Sequence, residues 1–404
     1  MKLGTPGFVG ERLREAREIR SLQAMILAEV VGVSPQAISQ YETGRSSPSP
    51  DVLRRIAEVL GVYEHFFILP ARADSERRIF FRSLSAATKA ARARAERRLM
   101  WLGDLVDYIS GSVELPATTF PELDLPKDHN QISAVDIESA AEDARAHWGM
   151  RDSPIVNVVA LLENHGAIVA RDRLGAESLD SLSECDGQTG RPYVLIGTDK
   201  GTCVRWRYDA AHELGHILMH RNIDRRSLSR QTDLATVEDQ AHRFAGAFLL
   251  PLTSFGEDFF AASLDAMRTM KPKWKTSIGT MIMRARQTDL LSEDTARRLW
   301  ITYNRRGWRK SEPLDDELPP EEPVVLRRAF ELLGAHQVDV LHDVSTKTGI
   351  TSADIGALSG LSPEHLRRSE LTVTLRDPNV SNVVPMRRAC NPDPVRPVRR
   401  TRPD

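Results

Sequence analysis

Two histidines and a glutamate in the stretch 211–216, which reads A-H-E-L-G-H, form an H-E-x-x-H motif. On an α-helix, residues four positions apart share one face, so His212 and His216 can both reach one Zn²⁺ ion. Glu213 lies about 100° further round the helix and can touch a water molecule without binding the metal. Zinc lowers the pKa of the water that it binds towards about 7, and Glu213 can then accept the proton as general base.

A catalytic zinc site usually has a third protein ligand and leaves its fourth position to water. The residues from 237 to 250 predict a second helix, on which Glu238 shares a face with the small residues Ala241 and Ala245. Small residues on that face allow close packing against the first helix, so we expect Glu238 to be the third ligand. Other side chains within reach of the metal compete for this role: Asp224, Asp233, Asp239 and His220.

Further side chains near the motif have more than one interpretation. His220, two turns after His212, is expected to end the helix near water. His242, one turn beyond Glu238, could polarise a bound carbonyl or simply hydrogen-bond the backbone. Cys185 or Cys203 could lend an inhibitory thiolate to the zinc, but burial as small apolar side chains is the favoured interpretation.

The sequence around the motif resembles the ImmA/IrrE family of gluzincin-like zinc peptidases. The resemblance rests on A-H-E-L-G-H at 211–216 and on E-x-Q-A-x-x-F-A-x-x-F-L-x-P at 238–251. It implies that the two motif histidines and Glu238 bind zinc and that Glu213 is the base. His242 stands where the family often has Asn, so no family role is carried over to it. The resemblance also implies cleavage of repressor proteins in stress, prophage or mobile-element responses.

The N-terminal part of the chain predicts a helix-turn-helix. Gly32 can take the left-handed turn between helices at 22–31 and 35–42, Ser34 is an N-cap, and Pro35 suits the first helical position. In this motif the second helix enters the DNA major groove by its N-terminal part. Short polar and methyl groups there could read base edges: Gln36, Ala37, Ser39 and Gln40. The other predicted DNA contacts are Gln23, Ser34 and, with phosphates, Arg45.

This region resembles the Xre/Cro-type helix-turn-helix family through I-S-x-Y-E-x-G-R at 38–45 and P-S-P at 48–50. The resemblance implies a double-stranded DNA operator, palindromic and bound by a homodimer. One departure is Ala24, which stands where the family often has Gln. It puts one backbone contact in doubt, although Gln23 is adjacent. The alternative interpretation is a small helical module that binds protein.

Composition predicts a soluble globular protein of the cytoplasm. The chain has 404 residues, a formal net charge of -1 and 41% hydrophobic residues, which suits two or three domains. No apolar run is long enough to span a membrane, and the first residues do not form a secretion signal. Three widely spaced cysteines, an odd number, indicate a reducing compartment.

We therefore expect a mainly α fold with a small α+β part. A basic helix is predicted at 76–109, and strands at 167–171, 178–184 and 192–197 are predicted to form an antiparallel sheet. The expected domains are a helix-turn-helix DNA-binding domain at 7–70, a basic helix and Pro-rich linker at 71–130, a zinc peptidase domain at 131–256, a helical C-terminal region at 257–378 and a disordered Arg/Pro-rich tail at 379–404.

Three functional hypotheses follow. In the first, an active peptidase cleaves a repressor, or its own chain between Arg72 and Pro126, and so relieves repression. The second makes the metal domain a non-proteolytic sensor attached to a DNA-binding regulator. In the third, the chain is an antitoxin-like or scaffold protein whose helix-turn-helix binds protein. Glu213 favours the first over the second, because a purely structural zinc site needs no general base.

Overall fold

The structure is a computed structural model that describes most of the chain: residues 4–71, 78–81, 88–176, 179–223, 230–336 and 339–362. These residues form many helices and one small sheet, which confirms the predicted mainly α fold with a small α+β part. Among them, no helix is both long and apolar enough to cross a membrane.

Four α-helices form the N-terminal module: α1 (Gly10–Ile19), α2 (Ala24–Val31), α3 (Pro35–Glu42) and α4 (Pro50–Leu60). Gly32 ends α2 in the left-handed conformation, with φ of 75°. Ser34 caps α3, because its hydroxyl oxygen accepts a hydrogen bond of 3.1 Å from the Ala37 amide. The turn at Gly32 and the cap at Ser34 end α2 and begin α3 in a new direction, as the residue types at these positions predict.

Further helices follow along the chain: α5 (Lys89–Ser110), α6 (Ala134–His147), α7 (Val158–Asn164), α8 (Cys203–Gly215), α9 (Gln231–Leu249), α10 (Leu252–Asp258), α11 (Leu264–Trp274), α12 (Ile278–Gln287), α13 (Glu293–Arg305), α14 (Val325–His336), α15 (Val340–Thr348) and α16 (Ser352–Ser359). A π-helical turn, His216–His220, extends α8. Such turns are frequent at functional sites.

The sheet has four strands in the order β1-β3-β4-β2: β1 (Arg78–Phe81), β2 (Ile168–Asp172), β3 (Ser181–Cys185) and β4 (Pro192–Gly197). β3 is antiparallel to both β1 and β4, but β2 is parallel to β4. The prediction of an antiparallel sheet was therefore wrong for β2. Residue patterns identify a strand, whereas the direction of its partner depends on how the chain crosses between strands.

The sheet separates two apolar cores. Along β4, Tyr193 and Leu195 face one core, while Val194 and Ile196 face the other. The first core joins the N-terminal module, α5 and α14 to α16. The second contains α6 to α13. Because neighbouring side chains of a strand point to opposite faces, a one-residue slip in register would exchange the two sets.

The predicted basic helix at 76–109 starts too early. Residues 78–81 form β1, and α5 begins only at Lys89, after the Thr88 N-cap. The helix is also packed along one face, since Trp101 and Leu105 are fully buried. Because alanine is compatible with both a buried and an exposed face, the Ala/Arg composition of this segment did not show which face of the helix is buried.

The C-terminal helices pack on the N-terminal module. The Tyr63 amide donates a hydrogen bond of 3.0 Å to the Gly349 carbonyl, and Arg20 pairs with Asp354 at 2.6 Å. The turn at 348–351 joins α15 and α16, and the buried residues of α16 include Ile355. α15 and α16 therefore pack against the N-terminal module rather than forming a surface that could read DNA.

A buried network of charges connects the sheet to α5 and α16. The Arg98 guanidinium, on α5, contacts Asp172 of β2 and lies 2.6 Å from the Asp354 carboxylate. Only 3% of Arg98 is exposed. We expect Arg98→Ala to lower the free energy of unfolding by about 3–5 kcal/mol, because it leaves the mostly buried Asp172 without its arginine and removes one of the two arginines that pair with Asp354. Urea unfolding measures this loss.

The neighbouring Arg97 supplies a matched control. Its 2.9 Å ion pair with Glu18 is partly exposed, with side-chain exposures of 29% and 22%. Arg97→Ala should therefore lower stability by no more than about 1 kcal/mol. Equal losses in the two variants would show that the buried network does not hold these elements together.

Candidate metal centre and DNA-reading helix

The H-E-x-x-H residues lie on α8 and its π-helical turn, in the second core. His212, Glu213 and His216 are all fully buried. Gly215 faces α9, and a Cβ atom there would lie 3.3 Å from the Ala241 Cα. The two helices therefore approach closely because both residues are small, and this approach places the first turns of α9 beside the histidines.

Glu238 completes a cluster with the two motif histidines. The Nε2 atoms of His212 and His216 are 3.1 Å apart, and they lie 3.4 and 3.3 Å from the Glu238 carboxylate oxygens. A tetrahedral zinc ion with ligands at about 2.1 Å separates those ligands by about 3.4 Å. The donor set and its spacing therefore fit one zinc ion.

The protonation states of these residues also favour their role as zinc ligands. Burial lowers the pKa of His212 well below its ordinary value, so the ring is neutral, the form that binds metal. Burial by itself would raise the pKa of the Glu238 carboxyl, but hydrogen bonds from the two histidines bring it well below the ordinary value. The cluster thus combines two neutral imidazoles with one carboxylate.

Glu213 is held by β3. The Ser181 hydroxyl donates a 2.6 Å hydrogen bond to one carboxylate oxygen, and the Ser183 hydroxyl donates a 2.5 Å hydrogen bond to the other. Burial raises the pKa of the Glu213 carboxyl, despite the opposing effects of His216 and the two hydroxyls. A raised pKa brings a carboxylate closer to the working range of a general base.

A chain of hydrogen bonds orients His216 from behind. The Gln240 amide nitrogen donates a 2.7 Å hydrogen bond to the His129 carbonyl, so its oxygen faces His220 Nε2 at 3.0 Å. That oxygen requires a proton on Nε2, which makes His220 Nδ1 an acceptor for His216 Nδ1, 2.9 Å away. With its Nδ1 donating to His220, His216 would offer the lone pair of Nε2 to a zinc ion.

The prediction for His220 was wrong, because this side chain is fully buried and does not end the helix near water. Its spacing contained the clue, since it lies on the same helix face as His212 and His216. Ser181 and Ser183 were missed altogether. Two serines at alternate positions of a buried strand share one face, and this pattern could have identified them.

Removing Gln240, the acceptor in the chain of hydrogen bonds behind His216, should weaken metal binding. We expect Gln240→Leu to lower zinc affinity about 10–100-fold, the usual effect of losing a partner behind a ligand. Gln231→Leu, an exposed position on the same helix, is the control. Competition with a chromogenic chelator measures both affinities, and unchanged affinity in Gln240→Leu would show that the chain does not orient His216.

His242 lies against the other histidine. Its ring centroid is 4.4 Å from that of His212, and the Tyr208 hydroxyl lies 3.2 Å from His242 Nδ1. Tyr208 thus belongs to the surroundings of the cluster. Its spacing of four from His212 could have indicated this position.

The competing ligands occupy other positions. Asp233 lies 3.8 Å from His129, and Asp239 is exposed. Asp224 lies outside the described residues. Cys185 and Cys203 are half-buried. Within the described part of the chain, the group with metal-ligand spacing consists of His212, His216 and Glu238.

The helix that the sequence predicts to read DNA, α3, presents polar groups to solvent. Three of the predicted base contacts are exposed: Gln36, Ser39 and Gln40. Ala37 is half-buried, while Gln23, Ser34 and Arg45 are exposed. Ile38 is fully buried in the first core, which fixes the orientation of the helix. The polar face of α3 is therefore free in the described chain.

Comparisons with known families match both regions. The family model described as helix-turn-helix matches residues 13–67, and that described as IrrE N-terminal-like domain matches residues 162–286. The chain carries both domains. This confirms the two resemblances drawn from the sequence.

Two relatives match the helix-turn-helix region. One, from Methanocaldococcus jannaschii, bears the name of an HTH-type transcriptional regulatory protein and is 47% identical over 53 residues, 13% of this chain. The other, an SPbeta prophage-derived uncharacterized HTH-type transcriptional regulator of Bacillus subtilis, is 28% identical over 65 residues, 16% of this chain. The matches cover 17% and 60% of these relatives. Together with the domains, they support a DNA-binding regulator.

Proposed function

We propose that this protein is a cytoplasmic transcriptional regulator that binds a DNA operator and contains a zinc-dependent peptidase. The observation that carries the proposal is the convergence of His212, His216 and Glu238 beside a buried Glu213, in a chain that also has a helix-turn-helix whose second helix, α3, is exposed on its polar face. The peptidase would cleave a repressor, or its own chain, and relieve repression in a stress, prophage or mobile-element response.

The residues of the cluster would have distinct roles in hydrolysis. A zinc ion held by His212, His216 and Glu238 would act as a Lewis acid and acidify water near neutral pH. Glu213 would accept the proton on a carboxylate oxygen, in an orientation set by the two serine hydroxyls. His242, supported by Tyr208, is close enough to His212 to contact a bound peptide.

Of the two proposed substrates, we favour a separate repressor over the protein's own chain, because of the packing of α5. Proteases favour exposed and mobile segments. The self-cleavage prediction covered 72–126, but α5, within it, is packed in the first core. Cutting there would require the core to open. Self-cleavage therefore remains a proposal for the parts of this range outside α5.

The alternative functions make different demands. A non-proteolytic sensor needs the zinc ligands but gives Glu213 no role, although the structure holds this carboxylate with two hydroxyls. An antitoxin-like protein-binding module does not need α3 to carry exposed side chains suited to base edges. We therefore favour the active peptidase, with a homodimer that binds a palindromic operator.

Specific DNA recognition should depend on the glutamines of α3. We expect Gln36→Ala or Gln40→Ala to weaken operator binding by about 1–3 kcal/mol, because each removes a bidentate base contact. The loss should be confined to the operator, so the preference over random DNA falls. Fluorescence anisotropy with DNA from upstream of the chain's own gene measures both affinities.

Two variants serve as references. Gln188→Ala changes an exposed glutamine of the turn between β3 and β4 and should leave both affinities unchanged. Arg45→Ala should weaken binding to every sequence and reduce its dependence on salt. Equal, purely salt-dependent affinities of the wild type for operator and random DNA would contradict a specific regulator.

A further inference from the structure

The strand beside the catalytic carboxylate has its outer edge occupied by another part of the chain. Ser181 and Ser183 of β3 hold Glu213, and on one side β3 pairs with β4. On the other side it pairs with β1, which belongs to the segment between the N-terminal module and α5. Without β1, β3 would therefore be an edge strand at the candidate active site.

The register places β1 next to the residues that hold the base. β1 runs antiparallel to β3, with Arg78 opposite Cys185 and Phe80 opposite Ser183. Neighbouring strands lie about 4.8 Å apart, so the backbone at Phe80 is one strand spacing from a residue that contacts Glu213. This is the arrangement that an extended peptide adopts when it adds to a sheet edge through main-chain hydrogen bonds.

The chain connections keep β1 close to β3. On one side the Pro70 carbonyl accepts a 3.0 Å hydrogen bond from Arg12, and on the other Thr88 caps α5. A segment tethered at both ends has an effective concentration of the order of millimolar at its site. A ladder of four residue pairs is short for a strand. β1 is thus well placed to compete with an extended peptide for the β3 edge, but the peptide can displace it.

We propose that β1 is a built-in competitor, which occupies the β3 edge that an extended segment of a protein substrate must bind. The proposal rests on the peptidase function and adds its regulation: substrate binds when residues 78–81 leave β3. A merely structural role in covering a sheet edge predicts that displacement of β1 creates no peptide-binding site.

The test measures how tightly the full-length protein binds a fluorescein-labelled peptide that copies residues 76–83. Ile79→Pro/Phe80→Pro prevents pairing of β1, since proline has no amide hydrogen to donate. If β1 is paired at least 90% of the time, this variant should bind the peptide at least about tenfold more tightly than the wild type. Ile79→Val/Phe80→Tyr retains β-forming residues and should match the wild type.

A disulfide lock tests the same proposal in the opposite direction. Arg78 lies directly opposite the native Cys185, and directly opposed residues lie at a separation that suits a disulfide. In Arg78→Cys, oxidation should abolish peptide binding, and reduction should restore it. Arg78→Cys/Cys185→Ser should not respond to oxidant, which excludes effects through other cysteines.

The outcomes separate this proposal from the peptidase function. Equal peptide affinity in the wild type, the double proline variant and the oxidised lock would overturn the competitor role of β1. Cleavage of the peptide at the same rate by all three would overturn it as well, and would leave the peptidase function intact. Tight binding by the double proline variant, with no hydrolysis of any peptide in a proteome-derived mixture by the zinc-loaded variant, would contradict the peptidase and leave β1 as the occupant of a peptide-binding edge.

Discussion

Glu213→Gln should retain about one zinc ion per chain and lose peptide hydrolysis by about 10²–10⁴-fold, the usual contribution of a general base. Glutamine keeps the size of the side chain and can still hydrogen-bond Ser181 and Ser183, but it cannot accept a proton. Hydrolysis is measured by mass spectrometry on a proteome-derived peptide mixture, and zinc by elemental analysis.

A second buried glutamate provides the control for this variant. Glu163 is 1% exposed and accepts hydrogen bonds from the Val324 and Val325 amides, away from the cluster. Burial raises the pKa of its carboxyl to about 7, so the neutral side chain of Glu163→Gln resembles a form that is present near neutral pH. This control should keep hydrolysis. Full hydrolysis by Glu213→Gln would remove Glu213 from the mechanism.

Loss of Glu238 should have the largest effect on the metal. Glu238→Ala removes a direct ligand, so zinc affinity should fall by more than the approximately 100-fold that a partner behind a ligand contributes. His212→Ala and His216→Ala should do the same. Asp239→Ala, the adjacent exposed residue, is the matched control and should retain zinc. Full occupancy in Glu238→Ala would assign the third position to another carboxylate, with Asp224 and Asp239 as the next candidates.

The parts of the site that depend on local spacing could be predicted from the sequence. His212 and His216 share a helix face because they are four residues apart, and Gly32 and Ser34 define the turn before α3 through their backbone and capping preferences. Glu238 was selected because small residues on its helix face imply close packing, and the short distance between Gly215 and Ala241 shows that the helices do approach.

The features that the sequence did not predict depend on tertiary contacts. The alternation of Ser181 and Ser183 identifies a shared polar face, but not that this face lies beside Glu213. His220 acquires its role only when Gln240 of another helix reaches it. α5 was misjudged because its arginines find partners far away in sequence, as Arg98 does with Asp354. β1 was missed because Ile79 and Phe80 stand among residues that also favour a helix, and only pairing with β3 decides between the two.

The central claim, a DNA-binding regulator whose peptidase relieves repression, is tested most directly by comparing the wild type with Glu213→Gln in the native host. Genome-wide binding sites and transcripts are measured for both strains under DNA-damage, oxidative and starvation stress. We predict that both proteins occupy the same palindromic sites and that the target genes are derepressed in the wild type alone. Binding without sequence preference, or equal derepression in the two strains, would contradict the account.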